Sequence, residues 1–356
     1  MSETRERIKS RNDFSNKKMP KFDIKRKYKD LYAFNDVIVN LPGRMWARLI
    51  KEIKYLLQKE KWKEQGVSKQ SAFHVMLWDQ RRNGLLNNAQ RKNFRIATKD
   101  NLLRYKKSDR LYILGSGPSI NDIETRQWDV ISEHDSFAFN MFLAHPFVPT
   151  YYHMELVAHH AELFKECYLA KSAEFKARPM ILNMRKIPGD KDAGDFNYIE
   201  NLYVSIPTVF GGEGMNSREV FRHYYLFRDY EKENLLVHYR ASLMIAVSFA
   251  ILMGYKEIIL AGVDMYSRDY FFYDENMYND FVATKIRDNR LKEEAALSAG
   301  NSIGTIHRIA DPTRSSSSLP VDKALLLLND IVLKPKGINL YLLSEKTLLY
   351  PYLEVY

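Results

Sequence analysis

The stretch at 242–262, SLMIAVSFAILMGYKEIILAG, constrains the fold more than any other part of the chain. Up to Gly254 it is apolar on every face, and after Tyr255, Lys256 and Glu257 it is apolar again to Gly262. The first part reads as a buried helix with Ser242 as N-cap and Gly254 as its stop; the second reads as a buried strand. A helix that runs straight into a buried strand belongs to a parallel α/β sheet.

A second stretch, LYILGSGPSIN at 111–121, fits the same architecture as a short buried strand, a glycine turn and a helix. Gly115, Ser116, Gly117, Pro118 and Ser119 let the backbone turn tightly at the strand's carboxyl end. With Ser119 as N-cap, backbone N–H groups and the positive end of a helix dipole are expected to face an anion there, which outlines a nucleotide-phosphate site. The turn lacks the third glycine of a dinucleotide fingerprint and the Gly-Lys-Ser/Thr of a P-loop, so it indicates neither NAD nor ATP. A purely structural turn is the alternative.

Between these stretches strands and helices alternate. Strands are expected at 136–139, ending at Asn140; at 150–154, ending near His153 and Glu155; and at 179–183 and 203–205. The segment 267–320 is polar, aromatic and serine-rich with no strand pattern, and its length suggests a lid. A helix at 321–333 and a strand at 338–343 complete the body.

The 356 residues carry a net charge of +10, unevenly distributed. Residues 1–110 hold 29 Lys plus Arg against 12 Asp plus Glu, a net of +17, and the remainder is mildly acidic at −7. The chain is therefore read as a basic helical N-terminal region, 1–105, before a body at 106–356. Within the basic region, 44–63 places Trp46, Leu49, Ile50, Ile53, Leu56 and Leu57 at helical spacing among lysines and arginines. This amphipathic helix could lie on an anionic membrane with Trp46 and Trp62 at the interface, or pack its stripe on the body, the reading favoured here. A second helix is expected at 68–79, and a polar connection after Gly84. No secretory h-region and no run of 18 apolar residues is present, which points to a cytoplasmic protein, peripheral on the inner membrane at most. The single cysteine, Cys167, excludes an internal disulfide and reads as a core thiol.

The GSGPS turn, Asn140 after the second strand, and ASLMIAVSFAILMGYKEIILAGVDMY at 241–266 together resemble the bacterial sialyltransferases of glycosyltransferase family 42 and related sialyltransferase-like glycosyltransferases. The resemblance spans about 108–345. It implies a single-domain, GT-A-like variant of a Rossmann-like parallel sheet with a lid. It further implies metal-independent, inverting transfer of a sialic-acid-like or Kdo-like sugar from its CMP conjugate, with no cofactor. The acceptor would be a glycan or lipid-linked oligosaccharide of a cell-surface polysaccharide such as lipopolysaccharide or capsule. On this resemblance Ser116 and Asn140 hold CMP, Ser242 lies near the donor sugar, and Tyr266 meets the phosphate. The family's second phosphate tyrosine falls on Phe272, so Tyr270 or Tyr273 would serve. Its general-base histidine aligns near Ser316, where none stands; His307 is the nearest, and His153 a rival. Such a transfer leaves a phosphate monoester and needs only hydroxyl or N–H donors and one base.

Other motifs have plainer readings. Asp264, leaving a buried strand, is either catalytic or a cap for loop N–H groups, and the cap is favoured; Glu155 is a further acid to consider. Asp190-Lys191-Asp192 imitates a metal-binding D-x-D but lies in a glycine-rich loop, and no histidine–carboxylate spacing indicates a metal. Two other functions compete: a pterin-type diphosphokinase using ATP and magnesium, and a non-catalytic nucleotide-binding scaffold whose basic arm binds nucleic acid or a partner. Nucleic acid is not expected for the glycosyltransferase, and homo-oligomerisation stays open.

Overall fold

A computed structural model describes residues 52–155, 161–184, 196–210, 215–298 and 319–356. The chain divides into two compact units, Met1–Lys54 and Tyr55–Tyr356. Of the first, only residues 52–54 are described, and they are helical.

The second unit opens with helices α1 (Lys59–Glu64), α2 (Lys69–Arg91) and α3 (Lys99–Leu103). Strand β1 (Arg110–Leu114) leads through a 3-10 turn to α4 (Thr125–Glu133), β2 (Asp135–Phe139) and β3 (Tyr151–Glu155). Then come α5 (Ala161–Ala170), α6 (Ser172–Phe175), β4 (Met180–Asn183), β5 (Leu202–Ser205), β6 (Thr208–Phe210) and α7 (Ser217–Leu226). Strand β7 (Val237–Tyr239), α8 (Ser242–Met253), β8 (Glu257–Ala261), α9 (Phe281–Ser298), α10 (Val321–Leu328) and β9 (Asn339–Leu342) follow. The main sheet has seven strands in the order β5-β4-β3-β2-β1-β8-β9, every pair parallel. This is the expected parallel α/β class, with all seven expected strands present. Strands β6 and β7 form a small parallel pair of their own.

Both faces of the sheet are covered, which is why its strands read as continuous apolar runs. On one face all twelve residues of α8 are buried; its Phe249 ring lies 4.8 Å from those of Phe137 and Tyr151. On the other, Tyr112, Leu114, Ala138, Tyr152 and Met154 pack with Phe142, Phe164, Phe271 and Ile286. Each edge is covered by a short passing segment: Ile96 pairs with Val204 of β5, and Val355 with Leu342 of β9.

Two expectations change, and for Trp62 the packed reading holds over the membrane alternative. Helix α2 does not stop before Gly84 but runs to Arg91, because buried Arg82 donates to the carbonyls of Ile206, Glu233 and Asn234. Those bonds outweigh the ~1 kcal/mol that an interior glycine costs. Trp62 is not at a membrane interface: it is buried, its ring 4.9 Å from that of His223 on α7. The first half of the expected lid is packed structure, with Phe271 and Phe272 fully buried and α9 behind them. Residues 299–318 of that segment, with Trp46 and the rest of the 1–51 stretch, lie outside the described residues. Among the described residues no helix is long and apolar enough to cross a membrane.

Candidate functional site

At the carboxyl ends of β1 and β8 two loops are pressed together. Gly115 N–H donates to Ala261 O at 2.7 Å, and Gly117 N–H to Gly262 O at 2.8 Å. A Cβ on Gly115 would stand 2.3 Å from Gly262 O, and one on Gly117 2.5 Å from the Asp264 carboxylate. The glycines of the turn are therefore required by close backbone approach, not by φ.

Behind them lies only a five-residue 3-10 turn, Pro118–Asp122, with Gly117 at its N-cap position, so Ser119 is inside it and does not cap it. The Asp264 carboxylate accepts the Ser119 N–H at 2.8 Å and the Ser119 hydroxyl at 2.5 Å. Asp264 thus caps the turn, occupying a donor that the sequence assigned to a phosphate. It is 3% exposed, and burial raises its pKa against the lowering effect of those two bonds. Pro118 and Ser116 are half-buried, and the Ser116 carbonyl accepts the N–H of Phe271 at 3.1 Å, tying the aromatic segment to the turn.

One strand further on, a second polar cluster forms. Asn140 leaves β2 with φ 53, a left-handed conformation that asparagine tolerates better than most residues. Its Oδ1 accepts the N–H of Glu155 at 3.1 Å, and its Nδ2 donates to Ser242 Oγ at 3.0 Å. Ser242 Oγ in turn donates to Glu155 Oε2 at 3.3 Å, and His238 Nε2 lies 3.6 Å from the same oxygen. Ser242 is not the N-cap of α8; Ala241 holds that position, and the serine side chain is directed into this cluster. Beside it, Tyr239 OH and Arg240 Nη1 both donate to Leu319 O, at 2.8 and 3.1 Å.

The tyrosines separate. Tyr266 is 40% exposed, its pKa raised by burial and then by the Asp264 charge; Lys346, which also interacts with it electrostatically, is ion-paired to Asp122 at 2.8 Å. Tyr270 OH accepts from Arg290 Nη2 at 2.8 Å, and Tyr273 OH donates to Glu294 Oε1 at 2.9 Å, so both hydroxyls are bonded to α9. Burial and Glu294 push the Tyr273 phenol up. His153 is fully buried on the α8 side of the sheet, stacked 5.9 Å from Phe137. Cys167 is also buried, its thiol pushed up to about 12.

The structure therefore brings Asn140 and Ser242 together, sets the GSGPS turn on the neighbouring strand end, and keeps His153 inside the core. His307, Asp190, Asp192 and Ser316 lie outside the described residues. Among the described residues no three His, Cys, Asp or Glu side chains are grouped as a metal-ion site. His238 gave no motif signal; its only sequence cue is its place between Val237 and Tyr239 just before α8.

No protein-family model matches the chain, and no curated protein matches it. Among solved structures it is similar to the sialyltransferase CST-II. Two CST-II variants in complex with CMP align at 17% and 18% identity, each with a TM-score of 0.39, over 69% of this chain and 86% and 85% of theirs. CstII from Campylobacter jejuni with the substrate analogue CMP-3FNeuAc aligns at 17% identity and a TM-score of 0.36, over 69% of this chain and 84% of that one.

Proposed function

We propose that this protein is a glycosyltransferase that moves a sialic-acid-like or Kdo-like sugar from its CMP conjugate to a glycan or glycolipid acceptor, inverting the anomeric centre without a metal ion. The observation that carries this reading is the hydrogen bond between Asn140 and Ser242, 102 residues apart in sequence, at the carboxyl end of β2. These are the residues that the sequence resemblance assigns to CMP and to the donor sugar, and the GSGPS turn stands on the adjacent strand. In this reading Asn140 and Ser242 orient the donor, and the hydroxyl of Tyr266 meets the departing phosphate. The basic region at 1–105 holds the enzyme at an anionic membrane face bearing its acceptor.

Calorimetric titration of the full chain with CMP, CDP, UDP, GDP and ATP, with and without magnesium, tests the reading. Binding of CMP without magnesium is expected, together with a raised thermal midpoint, since a ligand that binds only the folded state stabilises it. Preference for ATP with magnesium would make the protein a diphosphokinase. No nucleotide binding, with salt-sensitive nucleic-acid binding through 1–105, would make it a scaffold.

A further inference from the structure

Four polar side chains from separate segments meet where β2 and β3 end, and two of them titrate: Glu155 and His238. The Glu155 side chain keeps 22% of its surface exposed, whereas that of His238 keeps 3%. The carboxylate thus reaches solvent and the imidazole is buried behind it.

A general base for glycosyl transfer must reach the acceptor hydroxyl, and that hydroxyl must stand beside the donor's anomeric carbon. Ser242, which the resemblance assigns to the donor sugar, donates to Glu155 at 3.3 Å, so on that assignment this carboxylate stands one hydrogen bond from the donor. The other candidates among the described residues are worse placed. His153 is fully buried, and both oxygens of Asp264 are engaged by Ser119.

We propose that Glu155 is the general base of the transfer and that His238 is a positioning residue, holding the carboxylate through Oε2. The proposal rests on the glycosyltransferase reading above. In the step, the acceptor hydroxyl gives its proton to Glu155 and its oxygen forms a bond to the anomeric carbon. The bond from that carbon to the phosphate oxygen breaks, and its electron pair leaves on CMP. Glu155 then returns the proton to solvent. Among the contacts of Glu155 named above, β7 brings the titratable His238, while Asn140 and Ser242 bring neutral groups.

The test uses the full chain and two measurements: calorimetric CMP affinity, and CMP release from CMP-Neu5Ac and CMP-Kdo with water as the acceptor. Glu155→Gln is expected to bind CMP within about threefold of wild type and to release it ~10²–10⁴-fold more slowly, the usual worth of a general base. Glu155→Asp should recover part of that loss. His238→Gln should keep CMP affinity and shift the acidic limb of the pH–rate profile, which a merely structural residue would leave in place. Release by Glu155→Gln within threefold of wild type overturns the base assignment and leaves the glycosyltransferase reading standing. Failure of wild type to bind CMP, or to release it from either donor, retires both.

Discussion

Replacing Gly117 by alanine should destabilise the protein through Asp264 and not through the backbone angle. The added Cβ would stand 2.5 Å from Asp264 Cγ and Oδ2 and 2.8 Å from Gly262 O. If the neighbours hold, overpacking of this kind costs ~1–3 kcal/mol. If Asp264 swings away, its bonds to the Ser119 N–H and hydroxyl are lost, and hydrogen bonds to a charged group are worth ~1.5–3 kcal/mol each. Either route gives a loss on the order of 3 kcal/mol. Because the first obstacle is a side chain, Asp264→Ala should relieve it. The double variant should then be less destabilised than the two singles combined, by at least ~1 kcal/mol, as expected for residues in contact. Gly115→Ala is the control: its Cβ would stand 2.3 Å from the backbone oxygen of Gly262, which no side-chain removal relieves. Urea unfolding at constant m reads all five proteins. A Gly117→Ala variant within ~0.5 kcal/mol of wild type, or full additivity with Asp264→Ala, would refute the reasoning.

Trp62→Ala should cost ~3–5 kcal/mol in urea unfolding, because the indole is buried against His223, whereas an indole serving only a membrane would leave stability unchanged. His145 and His223 are buried and held neutral, their pKa values pulled down to about 3 chiefly by burial. The unfolded chain takes up these protons below pH ~6.5 and the folded one does not, so stability falls as pH drops from that value toward 3, by up to ~1.4 kcal/mol per pH unit for each. The raised Asp79 and Asp264 carboxyls act in the opposite direction, so the measurement is the difference in slope between wild type and a His145→Gln/His223→Gln variant from pH 7 to 4.5; equal slopes would contradict it. Tyr266→Phe should slow CMP release much more than it weakens donor binding, if the hydroxyl acts on the leaving phosphate; equal losses in both would assign it to binding alone.

The seven main strands were legible because burial on both faces makes each a compact apolar run between turn residues, as in Tyr112-Ile113-Leu114 or Ile258-Ile259-Leu260. Helix α8 was legible for the same reason. The course of α2 past Gly84 was not, since it is decided by Arg82 meeting carbonyls more than 120 residues away. Strands β6 and β7, three residues each, are too short to carry a period, and α9 lay hidden in a segment whose polar residues suggested a loop. At the site, Asn140 and Ser242 stood out by motif. The closure of Asp264 on Ser119, and of His238 on Glu155, are pairings across 145 and 83 residues that no local pattern announces.

The Asp264 closure also bears on where a phosphate can go. In open parallel sheets the ligand crevice lies beyond the carboxyl ends where the strand order reverses. Here the reversal falls between β1 and β8, the two strands whose loops are joined by Gly117–Gly262 and Ser119–Asp264. An anion seated on the Ser119 N–H would have to displace the carboxylate. Standing beside it instead, at about 4 Å, it would meet a repulsion of ~4 kcal/mol at the effective dielectric of a protein surface. At the ends of β2 and β3 Asn140, Glu155 and Ser242 converge instead. On the proposed reading, a donor phosphate held there would be met by side-chain donors and not by the Ser119 N–H, which Asp264 occupies. Tyr266, 40% exposed, stands in the field of Asp264 and of the Lys346–Asp122 ion pair. The contacts of the GSGPS turn with Gly262 and Asp264 join it to the loop after β8 that carries Tyr266.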